Sequence, residues 1–192
     1  MQGVRSTLCR WLLAAALGVG AATALPGKTR AAPSPPPPAL GAAIAGRVIH
    51  VADGDTVTVL ADAKTEVRVR LVGIDAPEVA HRSESSGSAS QPYGDASRRA
   101  LRGLVHGRQV EMTCRSKDRY GRFVCILRLD GGDVGEQQIR AGMAWHFLRY
   151  AADQPSAERD RYAAAEREAR SARRGLWADA TPVPPWEWRR SH

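Results

Sequence analysis

From Gly46 onward the chain alternates apolar and polar positions: Val48, Ile49 and Val51, then Val57 and Val59, then Val67, Val69 and Leu71. A period of two sends successive side chains to opposite faces, so three strands joined by tight turns are predicted. Asp53-Gly54 marks the first turn, because glycine accepts positive φ and aspartate can bond its own backbone; Asp62 and Lys64 mark the second. His81 to Gln91 holds Ser and Gly with almost no apolar content and predicts a mobile loop, followed by a helix over Tyr93–Val105. Two more strands, Gln109–Cys114 and Arg122–Leu129, precede a short helix over Val134–Ala141 ended by Gly142 and a longer one over Ser156–Arg174 ended by Gly175. Glu166 and Arg170, four apart on that last helix, read as a pair on a solvated face.

Five strands with a helix after the third and helices after the fifth describe a mainly β chain of the α+β class. The fold that fits is a five-stranded Greek-key barrel of the OB type plus about three helices. On pattern alone, sandwich and roll arrangements stay open.

The segments outside this pattern have their own signatures. Arg5 and Arg10 precede a short uncharged apolar run, Trp11 to Ala21, and then the small-residue triplet Ala22-Thr23-Ala24. That order predicts a signal peptide over 1–24 and a mature protein that is secreted or periplasmic, with retention as an N-terminal anchor as the alternative. Residues 25–45, including Pro35 to Pro38, form an Ala/Pro-rich linker; 46–178 is the globular part, and 179–192 a Pro/Trp-rich tail that either docks or stays loose. Cys9 falls in the leader. Cys114 and Cys125 lie on either side of a predicted hairpin turn, so a cross-strand disulfide is expected in an exported chain.

The net charge of +8 and the pI near 10.1 suggest a polyanionic partner, since a basic surface attracts phosphate and releases condensed counterions. Phosphodiester hydrolysis needs an activated water, neutralisation of charge on phosphoryl oxygens, and help for the leaving oxygen. Acidic residues stand at turns and strand ends in three segments: Asp53-Gly54-Asp55-Thr56, Asp75-Ala76-Pro77-Glu78 and Asp118-Arg119-Tyr120-Gly121-Arg122. Each alone also reads as a hairpin turn, a loop start or a polar hairpin tip.

Taken together, with Arg70 just before the second segment, they resemble the staphylococcal nuclease family over about Gly46 to Trp177. The resemblance implies a calcium site from Asp55, Asp75 and the backbone carbonyl of Ala76, and a general base at Glu78. It implies phosphate binding by Arg70 and Arg122, contact with a terminal phosphate by Arg119 and Tyr120, and a base pocket lined by Tyr150. A site of carboxylate and carbonyl oxygens suits Ca2+ on chemical grounds as well. Leu148 departs from the family's better-known member, which has a second tyrosine there, and the Ser-rich loop His81 to Gln91 replaces a Lys-rich one. The expectation is a monomeric calcium-dependent nuclease acting on DNA or RNA and leaving 3′-phosphate ends. The alternative is a non-catalytic OB module that binds nucleic acid or protein; such copies usually lose acids or arginines that this chain retains.

Overall fold

The alternating segments close on one another in a computed structural model that describes residues 39–62, 64–80 and 90–192. In chain order the elements are β1 (Ala43–Val51), β2 (Thr56–Ala61), β3 (Thr65–Leu71), β4 (Ile74–Asp75), α1 (Gly94–Val105), β5 (Gln109–Lys117) and β6 (Phe123–Leu129). Then follow β7 (Gly132–Asp133), α2 (Val134–Arg140), β8 (Trp145–His146), a 3-10 turn (Leu148–Asp153), α3 (Ser156–Ser171), a second 3-10 turn (Gly175–Ala178) and α4 (Pro185–Ser191). The predicted leader and most of the predicted linker lie outside the described residues, as does most of the Ser-rich loop. No helix among the described residues is long and apolar enough to cross a membrane.

Strands run β3-β2-β1-β5-β6, and β3 then pairs in parallel with β6 to close a five-stranded barrel. The seam matches Val69 with Phe123, Arg70 with Val124 and Leu71 with Cys125. Closure removes the unpaired edges that an open sheet would expose. The predicted alternation holds: Val48, Val57, Val59, Val67, Val69 and Leu71 are all buried, joined by Met112 and Leu127. Burying each such side chain contributes roughly 1.5–3 kcal/mol. β1 starts three residues before Gly46, because Ala43 to Ala45 pair with Thr113 to Glu111.

α1 buries Ser97, Leu101 and Val105, spaced four apart on one face, and Leu101 and Val105 join the core of the barrel. α2 is capped by Asp133, whose carboxylate accepts the amides of Gly135 and Glu136 and the Tyr162 hydroxyl of α3. α3 ends earlier than predicted, at Ser171, because Ala172 caps it and Arg173 takes a left-handed φ of 51° before Gly175 is reached. Its predicted pair forms, with Arg170 exposed and Glu166 partly covered. Arg170 lies 3.5 Å from Glu166 and its guanidinium stacks 3.7 Å above the buried Trp177 ring. A fourth helix, α4, forms in the Pro/Trp-rich tail, where Pro185 occupies its first turn. The tail docks: Trp186 lies 5.6 Å from Trp145 and 5.4 Å from Phe147 between ring centroids.

Cys114 and Cys125 face each other across β5 and β6, fully buried, and are joined by the expected disulfide. Replacing both with Ala is expected to lower unfolding free energy by about 2–4 kcal/mol, read from urea denaturation, and adding reductant to the unmodified protein should reproduce the loss.

Candidate active site

The alternation of β3 places Arg70 on the face opposite Val69 and Leu71, at the strand's last turn into Ile74 and Asp75. Its Nη1 lies 3.2 Å from Asp55 Oδ2 and its Nη2 3.0 Å from Asp75 Oδ1, while Nη2 also donates to the Ile74 carbonyl at 3.2 Å. Both acids are buried, Asp75 completely. Such a pair is held only where its hydrogen bonds are satisfied, since an unpartnered buried charge costs several kcal/mol. Asp55 meets that need with the Ala76 amide at 3.2 Å and the Thr56 hydroxyl at 2.8 Å. The Asp55 carboxylate, against burial and with help from Asp75, pushes the Arg70 guanidinium further above its usual range.

Gly54 is required for packing rather than only for a turn. A Cβ there would sit 1.8 Å from Ser97 Oγ and 2.7 Å from the Ala76 Cβ. The Asp53-Gly54-Asp55 turn is thereby pressed against α1 and the Asp75-Ala76 segment, which brings the first two acidic stretches together. Asp53 supports the turn by accepting the Asp55 amide at 2.9 Å. Burial, then the Asp55 carboxylate beside it, pushes the Asp53 carboxyl up from 3.8 to about 8.

The third stretch joins through Thr56. Arg122 donates from Nη1 to Thr56 Oγ1 at 3.3 Å, and that hydroxyl in turn donates to Asp55. Asp118 orients Arg122 by accepting its Nε at 2.7 Å and its amide at 2.9 Å. Burial, which would raise the Asp118 carboxyl, is outweighed by these bonds, and the group is held below its usual range. Arg119 and Tyr120 sit beside Arg122 at the hairpin tip. Tyr120 is 62% exposed, with the Arg119 guanidinium 4.7 Å and that of Arg122 5.5 Å from its ring.

Glu78 stands on the acidic segment after Asp75. Its amide donates to Gln91 Oε1 at 3.0 Å, and the Gln91 amide returns a bond to the Glu78 carbonyl at 2.9 Å. A Cβ at Gly94 would meet that carbonyl at 2.1 Å, so only glycine lets the start of α1 lie so close. The Glu78 carboxylate pairs with Arg189 of α4, which also bonds Asp75, with Nη2 2.7 Å from Oδ2 and Nη1 3.3 Å from Oδ1.

One wall therefore holds Asp55, Arg70, Asp75, Ala76 and Glu78, with Arg122 joined through Thr56 and Arg119 and Tyr120 at its margin. Tyr150 lies on the 3-10 turn Leu148–Asp153, and its side chain falls outside the described residues. Among the described residues no three His, Cys, Asp or Glu side chains form a ready metal cage. The donors near Arg70 are all hard oxygens, with no His or Cys, and their chemistry fits a hard divalent cation rather than a transition metal.

Residues 68–179, more than half of the chain, match the family described as Staphylococcal nuclease homologue. The chain belongs to the staphylococcal nuclease family. It is 42% identical over 153 residues to an uncharacterized endonuclease of Escherichia coli O157:H7, covering 79% of this chain and 89% of that relative. It is 36% identical over 155 residues to a micrococcal nuclease of Shigella flexneri, covering 76% and 80% respectively. A probable staphylococcal-like nuclease of Oryza sativa is 42% identical over 123 residues, 64% of this chain and 32% of that longer protein.

Four further residues shape the wall of this family member without a local sequence signal for that role. Thr56 was visible only as the end of a turn motif, and Asp118 only as the first residue of a hairpin tip. Gln91 falls at the end of the predicted mobile loop, yet it is buried and bridges Glu78 to the Val183 carbonyl, to which it donates at 2.7 Å. Arg189 carried no local signal.

The raised Asp53 carboxyl has a consequence for stability. Its protonated form is favoured by the fold, so its contribution is fully present below pH 3.8 and is lost as pH rises through about 8. In chelator, Asp53→Asn should flatten that decline in a pH series of urea midpoints, because Asn keeps the acceptor for the Asp55 amide without the titration. A wild-type slope retained in the variant would assign the effect to another group.

Proposed function

We propose that this chain is an exported, calcium-dependent nuclease that hydrolyses phosphodiester bonds of DNA or RNA. The observation that supports it best is the relay Arg70–Asp55–Thr56–Arg122, which links two guanidinium groups to one buried carboxylate, Arg70 directly and Arg122 through the Thr56 hydroxyl. Bidentate guanidinium groups match the oxygens of a phosphoryl group, a geometry that lysine does not reproduce.

Asp55, Asp75 and the Ala76 carbonyl are the groups that would hold Ca2+, with water completing its shell. When bound, the ion offsets charge on the phosphoryl oxygens and makes a neighbouring water more acidic. Glu78 takes the proton of the attacking water, while Arg70 and Arg122 hold the phosphoryl oxygens as negative charge builds on them. Arg119 and Tyr120 contact a terminal phosphate, and Tyr150 lines the base pocket. The oxygen of that water bonds to phosphorus as the bond from phosphorus to the 5′ oxygen breaks, which leaves a 3′-phosphate end and a 5′ hydroxyl whose proton comes from solvent. In this reading residues 1–24 are removed on export, and the mature protein acts as a monomer outside the cytoplasm or in the periplasm.

Incubation with DNA and RNA in calcium and then in chelator tests the reading: cleavage should require calcium, and equal cleavage in both would reject the metal. Glu78→Ala and Arg122→Ala should melt near the wild-type temperature and each lose at least about 10²-fold in kcat. Near-normal turnover in either would place the chemistry elsewhere.

A further inference from the structure

Arg189 is the residue of this site that neither the family resemblance nor the sequence pattern assigns. It lies 114 positions from Asp75, on a helix beyond the residues matched to the family, and yet it reaches the two acids most central to the proposed chemistry. Its fork covers Asp75 at both oxygens. Oδ2 accepts Nη2 at 2.7 Å, and Oδ1, already 3.0 Å from Arg70, lies 3.3 Å from Nη1. The same guanidinium pairs with Glu78. Burial, which would lower the Arg189 guanidinium, is outweighed by Asp75 and Glu78, so it is held above its usual range and stays charged.

We propose that Arg189 is a tethered cation that competes with the divalent ion for Asp75 while it occupies the Glu78 carboxylate beside it, so that metal binding and docking of α4 exclude one another. The proposal rests on the reading of Asp75 as a metal ligand. A divalent ion on Asp75 needs an oxygen at roughly 2.3–2.6 Å, and both are covered by guanidinium groups. Arg70, 19% exposed, is held by Asp55, Asp75 Oδ1 and the Ile74 carbonyl and stays; Arg189, 42% exposed, is the one that can leave, which frees Asp75 Oδ2. Repulsion between a divalent ion and a guanidinium on shared oxygens acts in the same direction.

The anchoring of α4 makes the competition intramolecular. Gln91 holds the Val183 carbonyl ahead of the helix, and Trp186 packs against Trp145 and Phe147. Gln91 also holds the Glu78 amide, so one buried side chain positions the acid and the segment that covers it. A docked state that blocks the ion reduces apparent affinity by the fraction of molecules left open. By linkage, the ion must loosen α4 by the same factor.

Isothermal titration calorimetry of calcium into the full chain, without nucleic acid, tests this. Arg189→Ala should bind calcium about tenfold more tightly than wild type, the scale expected when a charge-assisted hydrogen bond has to break before the ion can bind. Arg190→Ala removes the same charge from an exposed neighbour and should change affinity by less than about twofold, which separates docking from net charge. Trp186→Ala, which undocks α4 without altering charge, should also tighten binding. Amide exchange over 183–192 should speed up when calcium is added to wild type. Unchanged or weaker binding by Arg189→Ala, with wild type binding calcium normally, would overturn the competition and leave the metal reading intact. Absence of calcium heat in every variant would overturn the metal reading and the competition with it.

Discussion

The site depends on one guanidinium shared between two buried carboxylates. Arg70 holds Asp55 and Asp75 at 3.2 and 3.0 Å, and neither acid has enough solvent contact to be stable alone. Removing either partner of such a group costs about 3–5 kcal/mol, because a charge is left buried without compensation. The same contact explains why the turn before β2 and the segment after β3 lie against one another. Chemistry and fold are tied here by a single side chain, and the charge that organises the acids is the charge a phosphate would meet.

Around that contact the structure adds layers that orient rather than react. Asp118 fixes Arg122 through side chain and backbone, Thr56 passes a hydrogen bond from Arg122 to Asp55, and Gln91 fixes the backbone of Glu78. Each is a short polar side chain on a different element, so the wall is built from the hairpin tip, the barrel and the entry to α1 together. Asp133 and Tyr162 do comparable work for the helices, where they seat α3 on the cap of α2.

Much of the barrel was legible because burial imposes a period of two that few other constraints produce. Val67, Val69 and Leu71 read as one face of a strand, and the same alternation placed Arg70 on the other. The end of α3 was not legible, because Arg173 adopts a left-handed conformation that sequence would reserve for Gly175. Helix α4 was hidden by its prolines, which read as breakers although Pro185 sits where a helix needs no amide. The three acidic stretches could be recognised as motifs, but their convergence is set by barrel closure and by the tight packing of Gly54. Gln91 and Arg189 were out of reach for the same reason: their partners are fixed by tertiary packing, and no local spacing encodes that.

The barrel seam has an effect on when this wall can exist. Arg70 pairs with Val124 and Leu71 with Cys125 in the parallel contact of β3 and β6, and Cys125 is in turn tied to Cys114 on β5. Arg70 and Arg122 therefore stand near one another only once the two ends of the sheet have met, a pairing between stretches far apart in the chain and slow to form. An incompletely folded chain carries the same residues without the cradle, and oxidation of one thiol pair strengthens the strand on which the cradle's far side is hung.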